Sequence, residues 1–214
     1  MDTYVTRNLE GLDLRNNNYV DCDLSYIEFS ESNLSGVTFK NCNFTKSVFK
    51  GANLTGAKFI DCTMYGSIFK NAVMNDCTFK ECKVQYCSFD HAEMNRCSFT
   101  AAWLKGSDFI SAELEGANFE WARLPIVCFK HANMKNCNLT RSRLLFTNFR
   151  GANLSGSRMK YLDLKQGEFV KTDLSNTDMS GCKLEDAIFK KCILTGIKLY
   201  NTEWRQIEPI NIGD

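Results

Sequence analysis

The most reactive side chains in this 214-residue chain are its eleven cysteines. Four of them lie close enough in sequence to suggest a metal site or disulfides, namely Cys77, Cys82, Cys87 and Cys97. Their spacing favours another interpretation. Ten of the eleven cysteines lie multiples of five residues apart, and Ala and Ser occupy most of the other positions of this series. Free cysteine packs as a small buried apolar residue, and an intracellular protein keeps it reduced. We therefore expect ten core thiols, with Cys128 alone pointing outward as a candidate reactive group.

The other side chains that could do chemistry do not converge. His91 and His131 are forty residues apart, and the glycines recur along the chain instead of clustering before a helix to cradle a phosphate. Four acids follow at intervals of five, Asp163, Glu168, Asp173 and Asp178. Because no nucleophile, base and orienting group can be assembled, the sequence predicts no enzyme, no metal site and no cofactor.

A sequence repeat of five residues positions all of these side chains. From Tyr4 to Trp204, all 41 positions at this spacing are apolar or aromatic, and they include fifteen of the sixteen phenylalanines, Phe146 being the exception. From Cys22 to Thr202, 31 of the 37 positions two residues earlier are Ala, Cys, Ser or Thr. Eleven of the thirteen glycines lie two residues after the large residue. A period of five fits neither a helix nor a plain strand. It predicts a coil with a turn in each repeat, since Gly, Asn and Asp tolerate positive φ.

The motif is small, polar, Leu or Phe, polar, then Gly-like, as in Ala52-Asn53-Leu54-Thr55-Gly56 and Ala152-Asn153-Leu154-Ser155-Gly156. It resembles the pentapeptide repeat family over residues 4–204. The resemblance implies a right-handed quadrilateral β-helix with 20 residues per coil, and the length then gives about ten coils. Stepping by 20 from Phe29 to Phe189 finds only Phe, which agrees with that coil length. We expect a single all-β solenoid over residues 1–214, with the rings of Tyr4 and Trp204 at its ends and a short tail, 205–214.

Charge and hydropathy indicate the cellular compartment of the protein and where its charged residues lie. The net charge is +1, no apolar run is long enough to span a bilayer, and the first residues lack the order of a signal peptide. We therefore expect a cytoplasmic protein without membrane association. If residues 1–5 of each 20-residue coil are defined as the first face, the four faces carry net charges of 0, 0, −3 and +4. Residues 121–162 contain eight basic residues and no acidic one.

The first face gathers outward aromatic and cationic residues within this basic stretch and on the coil before it. We predict a partner-binding surface composed of Trp103, Trp121, Arg123, Pro125, Arg141, Arg143, Leu145 and Tyr161. Trp, Tyr and Arg are enriched at protein interfaces. The alternative interpretation is a cation–π ladder that only stabilises the solenoid.

The resemblance also implies a function. The family includes quinolone-resistance proteins that bind DNA gyrase or topoisomerase IV by imitating B-DNA, so one hypothesis is a non-enzymatic protein that protects these enzymes from an inhibitor such as a quinolone. This chain has no inserted loops, no polyanionic face and, after Arg205, a tail too short for the family's dimerising helix. The second hypothesis is an interaction scaffold or secreted effector without a topoisomerase role. Under both hypotheses we expect a protein partner, no direct binding of nucleic acid, and a monomer or a weak end-to-end dimer.

Overall fold

The computed structural model describes residues 8–202, which form an all-β repeat solenoid, as predicted. Five strands are delimited, β1 Asn18–Val20, β2 Thr38–Lys40, β3 Lys58–Ile60, β4 Glu168–Val170 and β5 Ile188–Lys190. They pair in parallel as β1–β2, β2–β3 and β4–β5. Single parallel bridges, each between residues twenty positions apart, extend the parallel pairing along the rest of the described chain. This part of the chain contains no helix that could cross a membrane. The end residues Tyr4 and Trp204 and the tail 205–214 lie outside the described residues.

Backbone hydrogen bonds join each coil to the next in a fixed register. The bridges pair each ladder residue with the residue twenty positions later. Leu34 N–H donates to the carbonyl oxygen of Asn53 at 2.7 Å, and Asn53 N–H donates back to Ser32 at 2.9 Å. The register confirms a coil of 20 residues. Side chains twenty positions apart are therefore direct neighbours, roughly 4.8 Å apart along the rod.

A left-handed residue turns the chain once in every repeat. Every fifth residue from 11 to 201 has φ between 52° and 72°, and these positions include the eleven glycines predicted to turn. The turn expected in each repeat is therefore confirmed. Several bulky residues also adopt this conformation, among them Tyr26, Trp121, Ile126 and Phe146. A side chain with a Cβ is strained at positive φ, most of all a β-branched one such as Ile126.

Two stacks of aromatic rings fill the core, and one of them is the Phe29–Phe189 column found in the sequence. The rings from Phe29 to Phe189 stack with centroids 4.6 to 5.4 Å apart. Those from Phe39 to Phe119 stack at 4.7 to 5.1 Å. The two stacks meet edge to face, for example Phe109 and Phe119 at 6.1 Å and 88°, a favourable aromatic geometry.

The small inward residues contribute hydrogen bonds as well as low volume. Ser107 Oγ donates to the carbonyl oxygen of Val84 at 2.6 Å, and Cys137 Sγ donates to that of Leu114 at 3.1 Å. The same bond to the residue 23 positions earlier recurs at many Ser, Thr and Cys positions. Cysteine therefore substitutes for serine in this site both in size and as a donor.

Side chains at the corners lean onto the following coil. A Cβ placed on Gly106 would lie 2.7 Å from Cδ1 of Tyr86, and one on Gly181 would lie 2.6 Å from Cδ1 of Tyr161. Each bulky corner residue thus covers the corner residue twenty positions later. The corners form ridges parallel to the rod axis, in which neighbours along a ridge are close contacts.

Candidate protein-interaction surface

The structure places all eight residues of the predicted surface on neighbouring coils of the first face. They occupy three parallel columns in which each residue is followed by the one twenty positions later. The central column contains Trp103, Arg123 and Arg143, which are successive partners in the bridge ladder. The corner column contains Trp121, Arg141 and Tyr161, and the remaining column contains Pro125 and Leu145. We call this set the arginine–aromatic face.

Two guanidinium groups at the centre of this face form no ion pair within residues 8–202, although Asp163 follows Arg143 in the same ladder. Arg123 and Arg143 are exposed and lie on adjacent coils. Within residues 8–202, neither side chain makes an ion pair or a hydrogen bond. Elsewhere the same one-coil spacing pairs opposite charges, as in the bidentate contact of Arg96 with Asp76, 2.7 Å for each bond. Like charges directly opposite each other in a ladder repel, so this column opposes the stability of the rod.

The same column also lacks a capping interaction that recurs in the solenoid. Asn or Asp at the outward position before the large residue accepts a hydrogen bond from the backbone N–H two residues later, as Asn148 Oδ1 does from Arg150 at 2.9 Å. This contact is an Asx turn, and it explains the polar residue of the motif. Arg143 has no oxygen with which to cap Leu145. At Pro125 no cap is needed, because proline has no N–H.

The corner column combines a cation with two exposed rings. The guanidinium carbon of Arg141 lies 4.9 Å from the ring centroid of Trp121, within the range of a cation–π contact. Trp121 and Tyr161 are 53% and 62% exposed. A cleft of about 370 Å³ lies beside them, lined by Trp121, Arg123, Arg141, Ser142, Arg143, Tyr161 and Asp163. The predicted cation–π contact is thus present between one pair, while the two central arginines take no part in it.

Sequence reasoning missed two residues that extend this surface. Ile126 and Phe146 form the other corner of the face, with 58% and 54% of their surface exposed, next to Pro125 and Leu145. Both have positive φ, 60° and 56°. A signal was available, because turn positions that favour Gly, Asn or Asp carry large apolar residues here. We call Pro125, Ile126, Leu145 and Phe146 the apolar corner.

The cysteines occupy the core, as their phase predicted. Nine are buried and Cys22 is half-buried at the first coils of the described chain. Burial raises the pKa of Cys87 and of Cys137 to about 12. Cys128 points outward in the ladder but is half-buried, and burial raises its pKa as well, which disfavours the thiolate that a reactive cysteine requires.

His91 and the four spaced acids make local contacts. His91 Nδ1 lies 2.7 Å from Asp90 Oδ1, which also neighbours Lys70. Asp163 and Asp173 cap the backbone two residues later, Glu168 accepts from Asn148 Nδ2, and Asp178 pairs with Lys160. In the part of the chain that the structure describes, no three His, Cys, Asp or Glu residues are grouped so that they could hold a metal ion.

Fold and site together define a solenoid repeat protein with an outward cationic and aromatic face. Residues 52–125 match the family model for a pentapeptide repeat region. The model for pentapeptide repeats (8 copies) matches 8–45, 22–59, 32–71, 127–156 and 157–196. The chain therefore belongs to the pentapeptide repeat family.

Several solved structures are similar to this chain. HetL, a pentapeptide repeat protein involved in heterocyst differentiation regulation from the cyanobacterium Nostoc sp. strain PCC 7120, is 18% identical, with a TM-score of 0.48. That match covers 90% of this chain and 91% of HetL. QnrB1, a plasmid-mediated fluoroquinolone resistance protein, is 22% identical over 86% of this chain and 92% of its own, with a TM-score of 0.42. No curated protein matches the sequence.

The buried thiols predict a specific sensitivity to alkaline pH. The unfolded chain loses these protons near pH 8.5, whereas folded Cys87 and Cys137 keep theirs to about pH 12. Their contribution to stability is therefore complete below about pH 8.5 and falls by about 1.4 kcal/mol per thiol and pH unit above it. Urea unfolding at pH 7.5, 9 and 10.5 should show a smaller alkaline loss for Cys87→Ala/Cys137→Ala than for wild type. Parallel pH profiles of the two proteins would contradict this assignment.

Proposed function

We propose that this protein is a non-enzymatic binding protein whose arginine–aromatic face engages a protein partner in the cytoplasm. One observation carries the proposal, the stacking of exposed Arg123 and Arg143 on adjacent coils, where neither forms an ion pair within residues 8–202. A partner that supplies carboxylates would relieve the repulsion between them and make charge-assisted hydrogen bonds. The exposed rings of Trp103, Trp121 and Tyr161 supply the large rigid contacts on which interfaces depend.

A purely structural role explains this face less well. The contact of Arg141 with Trp121 stabilises the surface by about 0.5–1 kcal/mol. Arg123 and Arg143 make no such contact, repel each other, and at Arg143 replace a capping residue. A surface selected for stability alone would carry Asn or Asp in this column, as the chain does at Asn43 and Asp163.

Topoisomerase protection is the more specific form of this proposal, and family membership supports it. QnrB1 is a fluoroquinolone resistance protein. Imitation of DNA is unsuited to this chain, because its faces carry net charges of 0, 0, −3 and +4 and residues 121–162 are basic. DNA-binding clefts attract a dense array of negative charge. Binding to gyrase or topoisomerase IV would therefore use the arginine–aromatic face against an acidic surface of the enzyme.

Charge reversal at the central column should remove the partner without unfolding the rod. We expect Arg123→Glu/Arg143→Glu to lose, in quantitative co-purification from the native host, a protein that wild type retains. Lys171→Glu/Lys191→Glu is the matched control, since these two exposed lysines also lie on adjacent coils and have no ion pair within residues 8–202. Identical partner profiles for wild type and both variants would remove the arginine–aromatic face as the binding surface.

A supercoiling assay tests the topoisomerase form separately. With purified gyrase or topoisomerase IV and a quinolone, wild-type protein in excess should restore activity, and Arg123→Glu/Arg143→Glu should not. Absence of any effect by wild type would exclude protection of these enzymes while leaving the binding face itself to the co-purification test. Protection by both proteins would place the contact elsewhere on the rod.

A further inference from the structure

We infer that the partner segment held by this surface combines acidic with apolar side chains and crosses the rod at the apolar corner. The inference rests on the proposed function and adds the chemistry of the partner. Its carboxylates contact Arg123 and Arg143, and its apolar side chains pack on Ile126 and Phe146.

The apolar corner opposes stability in two ways. Ile126 and Phe146 have positive φ, where bulky side chains are strained, and more than half of the surface of each is exposed. The same corner of earlier coils carries Tyr26, Lys46 and Tyr86 as well as Gly66 and Gly106, and only the two glycines turn without strain. Strained and exposed apolar residues that a glycine could replace indicate a role in binding.

The position of this corner beside the arginines limits what can bind. Arg143 and Phe146 are three residues apart on one coil, which separates them by at most roughly 10 Å, the span of three fully extended residues. A peptide segment can place a carboxylate and an apolar group at that separation. A nucleic-acid duplex offers phosphates to the arginines but keeps its bases stacked inside the helix, away from the apolar corner, so the combination favours a protein.

Charge on the far side of the corner sets the direction in which the segment lies. Beyond Phe146, a cleft of about 450 Å³ is lined by Gln166, Glu168, Asp186 and Ile188 as well as Phe146, Thr147 and Asn148. Towards the following two coils, the surface therefore changes from basic to apolar to acidic. A complementary segment has its acidic residues on one side of its apolar residues and neutral or basic residues on the other.

A random library of 12-residue peptides, selected on the immobilised full-length protein, tests this inference. Selected peptides should place Asp or Glu on one side of Leu, Ile or Phe and neutral or basic residues on the other. Their affinity, measured by fluorescence anisotropy, should fall at least tenfold both for Arg123→Gln/Arg143→Gln and for Ile126→Gly/Phe146→Gly. The glycine variant should also melt at a temperature a few degrees higher, because it relieves two strained positions. Lys171→Gly/Lys191→Gly, which relieves the same strain at another corner, should melt higher and keep full affinity.

The outcomes separate this inference from the proposed function. Selected peptides without acidic residues, or an affinity that Ile126→Gly/Phe146→Gly leaves unchanged, would overturn the inference alone. So would Arg-dependent binding of a 15-base-pair DNA duplex or of vesicles with 30% phosphatidylserine at the affinity of the selected peptides. Peptide binding that no variant alters, together with unchanged co-purification by Arg123→Glu/Arg143→Glu, would overturn both.

Discussion

The structure depends on the left-handed backbone conformation that recurs at every fifth residue from 11 to 201. Four such residues turn the chain through one coil and bring residue i over residue i + 20, where the parallel backbone bonds can form. Because the interval never changes, inward side chains of successive coils align, and the Phe rings stack at about the spacing of the ladder. The outward side chains align for the same reason. Any surface on this rod is consequently a set of columns, and the chemistry of a column is decided by residues twenty positions apart.

The inward half of the molecule could be predicted from sequence because space there is limiting. Only large apolar side chains fill the centre and only small ones fit beside them. The residue type and the position in the five-residue repeat are therefore enough to predict that Phe109 and Cys137 lie in the core. The outward half has no such restriction. The eight residues of the arginine–aromatic face could be grouped from the 20-residue spacing, but the missing partners of Arg123 and Arg143 required the side-chain positions. Ile126 and Phe146 were missed because they occupy turn positions, where the expected types are Gly, Asn and Asp.

The capping residues show how the solenoid normally uses its outward positions. Asn53, Asn118 and Asp178 each accept a hydrogen bond from the backbone two residues later, and opposite charges pair between coils. At the arginine–aromatic face the chain gives up the cap at Arg143 and the pairing of opposite charges between Arg123 and Arg143. There and at the apolar corner it accepts repulsion, strain and exposed apolar surface instead. The rigid stacks beneath can tolerate this local loss. The loss of stabilising contacts at this surface is most simply explained if the surface is kept for binding, at the expense of stability.

The central claim is that this surface is maintained against the stability of the rod, and the substitution Arg143→Asn tests it most directly. Asparagine at this position can cap Leu145 as Asn148 caps Arg150 and Asn138 caps Thr140. It removes both the repulsion from Arg123 and the attraction of Asp163, the two ladder neighbours of Arg143, so the added cap is the main net change. The free energy of unfolding in urea should rise by about 0.5–1 kcal/mol relative to wild type. A fall in the free energy of unfolding would contradict the account, because it would mean that Arg143 stabilises the solenoid and that the face is part of its structure.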